Sequence, residues 1–200
     1  MLKIGITGGM GSGKSTACKI FESLGIPVYY ADDRAKWLMV NDMSIIVGVK
    51  DLFGEDAYHE DGSLNRKHIA DIAFNDKSKL SRLNALVHPA VGRDSSKWRH
   101  EQIDFPYTLQ EAALMFESGS VAFLDKVITV YAPQKARIQR ILERDDTTIE
   151  AIQARMNKQM PEEQKLQLAD FVIINDTFSS LQRQVIQIHK TLLKLGKKSH

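Results

Sequence analysis

The sequence has 200 residues, 43% of them hydrophobic and 26% charged, which suits one sizeable α/β domain of a globular protein. The net charge of +2 is too small to indicate a nucleic-acid-binding protein. The single cysteine, Cys18, excludes an internal disulfide, and no apolar run is as long as a membrane span. We therefore expect a cytoplasmic protein with no membrane partner and no nucleic-acid partner, and we predict no obligatory protein partner.

The first predicted strand leads into a glycine-rich loop. Residues 2–7 are dense in apolar side chains, and a helical pattern follows from about 15 to 25. Between them, residues 8–15 fit G-x-x-x-x-G-K-[ST] at every fixed position, the pattern of a loop whose backbone N–H groups bind phosphates. Lys14 supplies a cation for the outer phosphates, and the Ser15 hydroxyl is a Mg²⁺ ligand. The pattern predicts that a nucleotide binds here, through Gly11, Ser12, Gly13, Lys14, Ser15 and Thr16.

The second predicted strand, residues 26–30, ends directly before Ala31 and Asp32. Ligands of open parallel sheets bind beyond the carboxyl ends of the strands, which places Asp32 at the same edge as the phosphate loop. A carboxylate at that edge can hold an acceptor hydroxyl and take its proton. The alternative is that Asp32 or Asp33 is the N-cap of a helix that begins near Arg34, because aspartate is a favourable cap. Position alone leaves both roles open.

The chain between the second and third predicted strands is too long for one crossover helix. His88 and Pro89 predict the end of a helix, because the residue before a proline is disfavoured in the helical conformation. Residues 40–65 are more polar and carry turn signals. We interpret the whole segment between these two strands as a helical insertion that binds another molecule. Helical spacing is found at about 34–39, 64–74, 77–87 and from 89 onwards.

The helix predicted at 134–144 carries Arg137, Arg140 and Arg144 on one face, and Arg155 follows after a short break. This pattern favours a hairpin lid that brings cations to a moving phosphoryl group and excludes water. The alternative is a solvated basic face that makes ordinary salt bridges. The remaining strands are predicted at 107–116, 126–131 and 170–175, with a last helix from about 179.

Five strands that alternate with helices predict a parallel sheet covered on both faces, the three-layer α/β fold of P-loop kinases. We expect one domain, with a core of residues 1–33 and 106–200, a helical acceptor-binding insertion at about 34–105, and a lid at about 137–160. Asp125 precedes the fourth strand and so lies at the wrong end for a Mg²⁺ site. The ion is then expected to bind Ser15, the phosphates, and either Asp32 or Glu117.

Six segments stand out in chain order: Thr7 to Thr16, Ala31-Asp32, Leu83 to Pro89, Leu114 to Gly119, Arg144 to Asp146 and Ala169 to Asn175. Together they resemble the dephospho-CoA kinase family, and the resemblance covers almost the whole chain. The phosphate loop alone is shared by many kinases, whereas the Ala-Asp pair and Leu-Asn-x-Leu-x-His-Pro are far more specific. Tyr30 stands where the family often has the first residue of Asp-Ala-Asp, and the family often has a proline near Ala113.

That family transfers the γ-phosphoryl group of ATP to the 3′-hydroxyl of dephospho-CoA, the last step of CoA biosynthesis. The resemblance implies ATP and Mg²⁺ as cofactors and dephospho-CoA as the acceptor. It places Asp32 on the catalytic aspartate, and Asn175 near the adenine. His88 by itself would more often be a capping or core histidine, and only the His-Pro pair as a unit favours acceptor binding. The remaining implied positions are Pro89 and Arg93 in the acceptor-binding part, and Arg140 and Arg144 in the lid.

Two other functions are compatible with a phosphate loop. One is a kinase of another small acceptor, such as a nucleoside or a nucleoside monophosphate. The other is a nucleotide-switched binding protein, either an ATPase or a GTPase. The GTPase is disfavoured because no guanine signature of the N/TKxD type is present, the nearest run being Asn157-Lys158-Gln159.

Overall fold

The computed structural model describes residues 1–176 and 178–198, without the side chains of Phe74, 178–180 and 197–198. The strands are β1 (Leu2–Thr7), β2 (Val28–Tyr30), β3 (Tyr107–Glu111), β4 (Lys126–Tyr131) and β5 (Phe171–Ile174). The α-helices are α1 (Lys14–Ser23), α2 (Ala31–Asn41), α3 (Met43–Phe53), α4 (Arg66–Asn75), α5 (Lys77–His100), α6 (Gln134–Arg144), α7 (Ile149–Met156), α8 (Glu162–Leu168) and α9 (Phe178–Lys198). Short 3₁₀ helices lie at Glu55–Ala57 and Ser120–Phe123. No helix in the described ranges is long and apolar enough to cross a membrane.

The five strands form one parallel sheet in the order β2-β3-β1-β4-β5. The central strand β1 pairs with β3 on one side and β4 on the other, so that Ile6 lies beside Glu111 and Ile128. Because all neighbours are parallel, their carboxyl ends share one edge of the sheet, and the loop after β1 leaves from the middle of that edge. The predicted parallel α/β fold is confirmed.

The chain divides into two compact units, residues 1–30 with 98–200, and residues 31–97. The first unit contains the sheet, and its main core joins apolar side chains of β1, β3 and β4 to those of α1 and α9, among them Ile4, Leu109, Ile128, Phe21 and Val185. Cys18 belongs to this core, and burial raises the pKa of its thiol well above the ordinary value. The prediction of a packed core thiol is therefore confirmed.

The second unit is helical, and it contains a helix, α3, that the sequence analysis does not predict. The Asp42 side chain caps α3 by accepting from the Ser44 and Ile45 N–H groups, at 2.9 and 3.4 Å. The Ser44 hydrogen bond lowers the pKa of Asp42. Ile45, Val49 and Leu52 then face the core of this unit at helical spacing. A turn does lie at residues 60–62, as predicted, and α2 ends at Asn41. The sequence analysis nevertheless lacks α3, because Asn41-Asp42 ends one helix and begins the next.

The predicted helix end at His88-Pro89 is also wrong, because α5 runs unbroken from Lys77 to His100 with Pro89 inside it. A proline removes the N–H that would bond the carbonyl four residues earlier. The helix persists because Val87 and Ala90, on either side of the proline, are both buried in the core of the second unit. Packing on both sides outweighs the local preference for a break.

Candidate active site

The loop between β1 and α1 is built to receive an anion. Gly13 has a φ of 96°, in the left-handed region that favours glycine, and a Cβ at this position would collide with the Asn175 amide. Helix α1 begins at Lys14 with no side-chain cap and no acidic residue in its first turn. The N–H groups of that turn have no carbonyl partners within the helix, and the helix dipole favours negative charge there. The first turn of α1 therefore fits a phosphate chain, as the sequence predicts.

Hydrogen bonds within the loop and from outside it fix its backbone. Lys14 Nζ donates to Gly8 O at 2.9 Å, and Ser12 N donates to Gly9 O at 3.0 Å. The buried Asn175 side chain donates through Nδ2 to Ser12 O at 2.7 Å. Asn175, which the resemblance places near the adenine, thus contacts the loop itself in this structure. The loop is held in shape by the protein before any nucleotide is considered.

An acidic residue that the sequence analysis missed lies beside the loop lysine. Glu111 is the last residue of β3, it is buried, and its Oε1 lies 3.9 Å from Lys14 Nζ. The sequence pattern predicts β3 as far as Phe116 and therefore favours Glu117 as the acidic candidate, whereas the strand ends at Glu111. The exposed Glu117 instead accepts the Met160 N–H at 2.6 Å. The signal in the sequence is Glu111 itself, an acidic residue at the end of an apolar strand and directly before Ala112-Ala113.

The donors near the loop fit a metal ion that is shared with phosphates. Among the described residues no group of three or more His, Cys, Asp or Glu side chains could hold a metal ion. Ser15 is exposed at the start of α1, and the carboxylate of Glu111 lies at the end of the neighbouring strand β3. Mg²⁺ in kinases takes few protein ligands and completes its coordination with phosphate oxygens and water. The hard oxygens of these two side chains are suited to that ion.

The arginines of α6 separate into two environments. Arg140 donates through Nη2 to Asn175 O at 3.1 Å, while its Nη1 is buried with no hydrogen-bond partner among the described residues. Arg144 is exposed and pairs with the adjacent Asp145 at 2.8 Å, and this hydrogen bond lowers the pKa of Asp145. Arg137 is buried, so the three arginines of α6 do not form the solvated basic face of the alternative interpretation.

Arg137 packs against the phosphate loop rather than solvent. A Cβ at Gly9 would collide with its guanidinium group, so that any larger residue there would require Arg137 to move. Arg137 Nη1 lies 3.1 Å from Glu162 Oε1, and the same oxygen accepts from the fully buried Lys165 Nζ at 3.1 Å. Two cations and one carboxylate thus form a buried cluster between α6 and α8. Buried charges require such partners, because an unpaired one is strongly destabilising.

In the second unit, Asp32 lies within helix α2 rather than before it. Helix α2 begins at Ala31, directly after β2, so that Asp32 and Asp33 both stand in its first turn. The hypothesis of an N-cap for a helix that begins near Arg34 is therefore wrong. Asp33 pairs with Lys36 at 2.7 Å across one turn. Asp32 is exposed, at a position where negative charge is favourable for the helix.

The other predicted acceptor residues stand together on α5. His88, Pro89 and Arg93 are all exposed, and the last two are four residues apart and so share a face of the helix. Arg93 also contributes to the lowered pKa of Asp42, which places a positive charge near the start of α3. Exposure of a cation and an imidazole on a helix of this unit is compatible with binding of an anionic acceptor.

Comparison with known proteins gives one consistent result. The family model described as dephospho-CoA kinase matches residues 2–180. The dephospho-CoA kinase of Porphyromonas gingivalis is 40% identical over 195 residues, covering 96% of this chain and 95% of that protein. That of Salinibacter ruber is 37% identical over 192 residues, covering 94% and 96%.

Solved structures agree with the sequence relatives. The structure of TT1252 from Thermus thermophilus superposes with a TM-score of 0.85 at 32% identity, covering 95% of this chain and 96% of that one. The dephospho-CoA kinase from Campylobacter jejuni superposes with a TM-score of 0.72 at 26% identity, covering 96% and 97%. The similarity therefore extends over nearly the full length of each chain.

Proposed function

The chain belongs to the dephospho-CoA kinase family, and from this premise we propose that it transfers the γ-phosphoryl group of ATP to the ribose 3′-hydroxyl of dephospho-CoA. The observation that carries the proposal is the uncapped first turn of α1 behind a glycine loop, with Lys14 directed at the loop and Glu111 beside it. This arrangement suits a phosphate chain with its metal ion.

Charge neutralisation around the phosphates is assigned to the first unit. The loop N–H groups and Lys14 hold the β- and γ-phosphates, and Ser15 and Glu111 are the side chains that would hold Mg²⁺, directly or through water. Bound there, Mg²⁺ would neutralise phosphate charge and orient the phosphates. Lys14 already lies between a loop carbonyl and a carboxylate, so its ammonium group is positioned before the nucleotide arrives.

Proton removal is assigned to Asp32. In the reaction the acceptor oxygen forms a bond to the γ-phosphorus, and the bond from that phosphorus to the β–γ bridging oxygen breaks, so that ADP leaves. The hydroxyl proton passes to the Asp32 carboxylate. His88, Pro89 and Arg93 on α5 are assigned to acceptor binding, and their exposure supports access by a ligand.

The arginines of α6 are assigned to the transferred group. Arg140 has a buried Nη1 without a hydrogen-bond partner among the described residues, and such a group in a native protein calls for an explanation. A phosphate oxygen would satisfy it. The exposed Arg144 would exchange Asp145 for phosphate and help to exclude water, since arginine forms paired hydrogen bonds with either group.

The experiment that tests the proposal is a panel of acceptors with product analysis. The protein is given Mg-ATP with dephospho-CoA, a nucleoside, a nucleoside monophosphate or no acceptor, and products are identified by mass. We expect rapid ATP consumption only with dephospho-CoA, with CoA as the product. Equal ATP consumption without an acceptor would contradict a kinase, and phosphorylation of a nucleoside alone would contradict the acceptor assignment.

A further inference from the structure

We infer that Gln159 is a positioning residue for phosphoryl transfer, because it holds the phosphate loop through the Met10 N–H; the inference rests on the proposed function. Gln159 Oε1 accepts from the Met10 N–H at 3.0 Å, across 149 residues of sequence. Met10 is the third residue of the loop, and Gln159 lies in the connection between α7 and α8. A segment that follows the α6–α7 arginines is thereby tied directly to the loop backbone.

The connection that carries Gln159, residues 157–161, is itself held by polar contacts. The next residue, Met160, donates its N–H to Glu117 Oε1 at 2.6 Å. Just beyond the connection, Glu162 Oε1 lies 3.1 Å from both Arg137 Nη1 and Lys165 Nζ, which are buried cations. The connection also borders a cavity of about 540 Å³ and so is not packed on all sides. Backbone hydrogen bonds hold residues 157–159 to the end of α7, and the side-chain contacts join the connection to the phosphate loop and to Glu117.

The loop needs contacts of this kind because glycine gives its backbone little preference of its own. Asn175 fixes the second half of the loop through Ser12 O at 2.7 Å. Gln159 fixes the first half through the Met10 N–H. With both ends held, the N–H groups that face the phosphates keep one geometry. A displacement of about 1 Å in such a group can reduce turnover by about 100-fold.

A positioning role and a purely structural role differ in their kinetic signatures. Substitution of a residue with a purely structural role lowers the stability of the fold, and activity then falls only as far as folded protein is lost. A positioning residue affects kcat in protein that remains folded. An added charge at the same place changes nucleotide affinity instead, because it acts on the phosphates through space.

The test uses two substitutions at Gln159 and one control. Gln159→Met keeps length and volume but removes the acceptor, while Gln159→Glu keeps an acceptor oxygen and adds a negative charge beside the loop. Gln164→Met makes the methionine change at an exposed position on α8. Each variant is assayed for CoA formation by mass at varied ATP, with a thermal melt.

We expect Gln159→Met to lower kcat about 10-fold with less than about a threefold change in the KM for ATP. Gln159→Glu should keep kcat within about threefold and raise the KM for ATP about 10-fold. Gln164→Met should match the unchanged protein. A kcat for Gln159→Met within about twofold of the unchanged protein would overturn the inference, and so would its unfolding, since Gln159 would then serve the fold. If the unchanged protein forms no CoA, the proposed function fails instead.

Discussion

The candidate site residues of the first unit are mostly buried, whereas those of the second unit are exposed. In the first unit, Lys14 and Glu111 have side chains only 10% exposed, and Asn175 is buried, each in contact with the loop or its lysine. In the second unit, Asp32, His88 and Arg93 are exposed side chains on helices. The fold alone thus organises the candidate phosphate-binding residues, whereas the residues proposed to bind the acceptor are exposed side chains that a ligand would have to organise.

This difference has a physical reason. Phosphate groups carry concentrated charge, and fixed dipoles in a partly buried site stabilise that charge without reorganising during the reaction. An acceptor that must enter and leave is better served by side chains that are open to solvent. Substitutions in the first unit should therefore affect chemistry most, and those in the second should separate acceptor chemistry from nucleotide binding.

The largest effect is expected for Lys14→Ala. Removing the ammonium group leaves charge on the β- and γ-phosphates without its main protein cation, so kcat should fall by about 10³- to 10⁵-fold. Lys19→Ala, at an exposed position on the same helix, is the control and should be near normal. Steady-state CoA formation and a thermal melt measure both. A folded Lys14→Ala protein with near-normal turnover would refute the phosphate-loop role.

Asp32→Asn is expected to slow transfer by about 10²- to 10⁴-fold, because it removes the ability to take a proton while size is kept. ATP binding should be preserved, since the loop contacts lie in the first unit. The matched control is Asp33→Asn, which changes the neighbouring residue whose partner is Lys36 at the surface. Turnover with dephospho-CoA and ATP binding by calorimetry separate the two steps. If both variants slow transfer equally, the charge of the helix terminus matters rather than Asp32.

Glu111→Gln should raise the Mg²⁺ concentration required for half-maximal turnover by about 10- to 100-fold. The change keeps the shape of a buried side chain but removes its charge beside Lys14. Glu101→Gln, at an exposed position, is the control. A Mg²⁺ titration at saturating ATP and acceptor measures the effect. An unchanged titration would show that the ion depends on Ser15 and the phosphates without Glu111.

The sequence predicted the first unit better than the second, for reasons visible in particular residues. Lys14 and the glycines around it encode a local structure whose geometry follows from the residue types. The predicted order of strand, glycine loop and helix is confirmed. The role of Glu111 depends on where β3 ends, and strand ends are set by pairing with β1 and β2, which no local pattern contains. The burial of Arg137 likewise depends on Glu162, which is 25 residues away in sequence on another helix.

In the second unit the local breakers Asp42 and Pro89 are overridden by packing. Asp42 can begin a turn or a helix, and the apolar spacing from Ile45 to Phe53 decides for the helix α3. Pro89 is a local breaker that the buried neighbours Val87 and Ala90 override. The roles of Asp32, His88 and Arg93 stay predictions, because an exposed side chain reveals its partner only when the ligand is bound.

The smallest expected effect concerns the stability of the first unit, at a place remote in sequence from the loop. The Tyr107 hydroxyl and His189 Nδ1 lie 2.6 Å apart in a hydrogen bond, and burial holds the pKa of His189 below its ordinary value. A histidine with a lowered pKa in the folded state favours folding in its neutral form. Its contribution is present above the unfolded pKa of about 6.5 and is lost as pH falls through the folded value.

The unchanged protein should therefore lose more thermal stability between pH 7 and pH 5 than His189→Gln, which cannot titrate but can still hydrogen-bond Tyr107. We expect the difference in Tm loss to be about 1–3 °C for a chain of this size. Melts at several pH values measure it, and turnover at pH 7 is the control, because this pair lies on β3 and α9 rather than on the phosphate loop. Parallel Tm curves for the two proteins would show that His189 has the same proton affinity folded and unfolded. A loss of turnover at pH 7 in a stable His189→Gln protein would contradict the expectation that this pair affects stability alone. It would show that the core of the sheet and the phosphate loop are coupled.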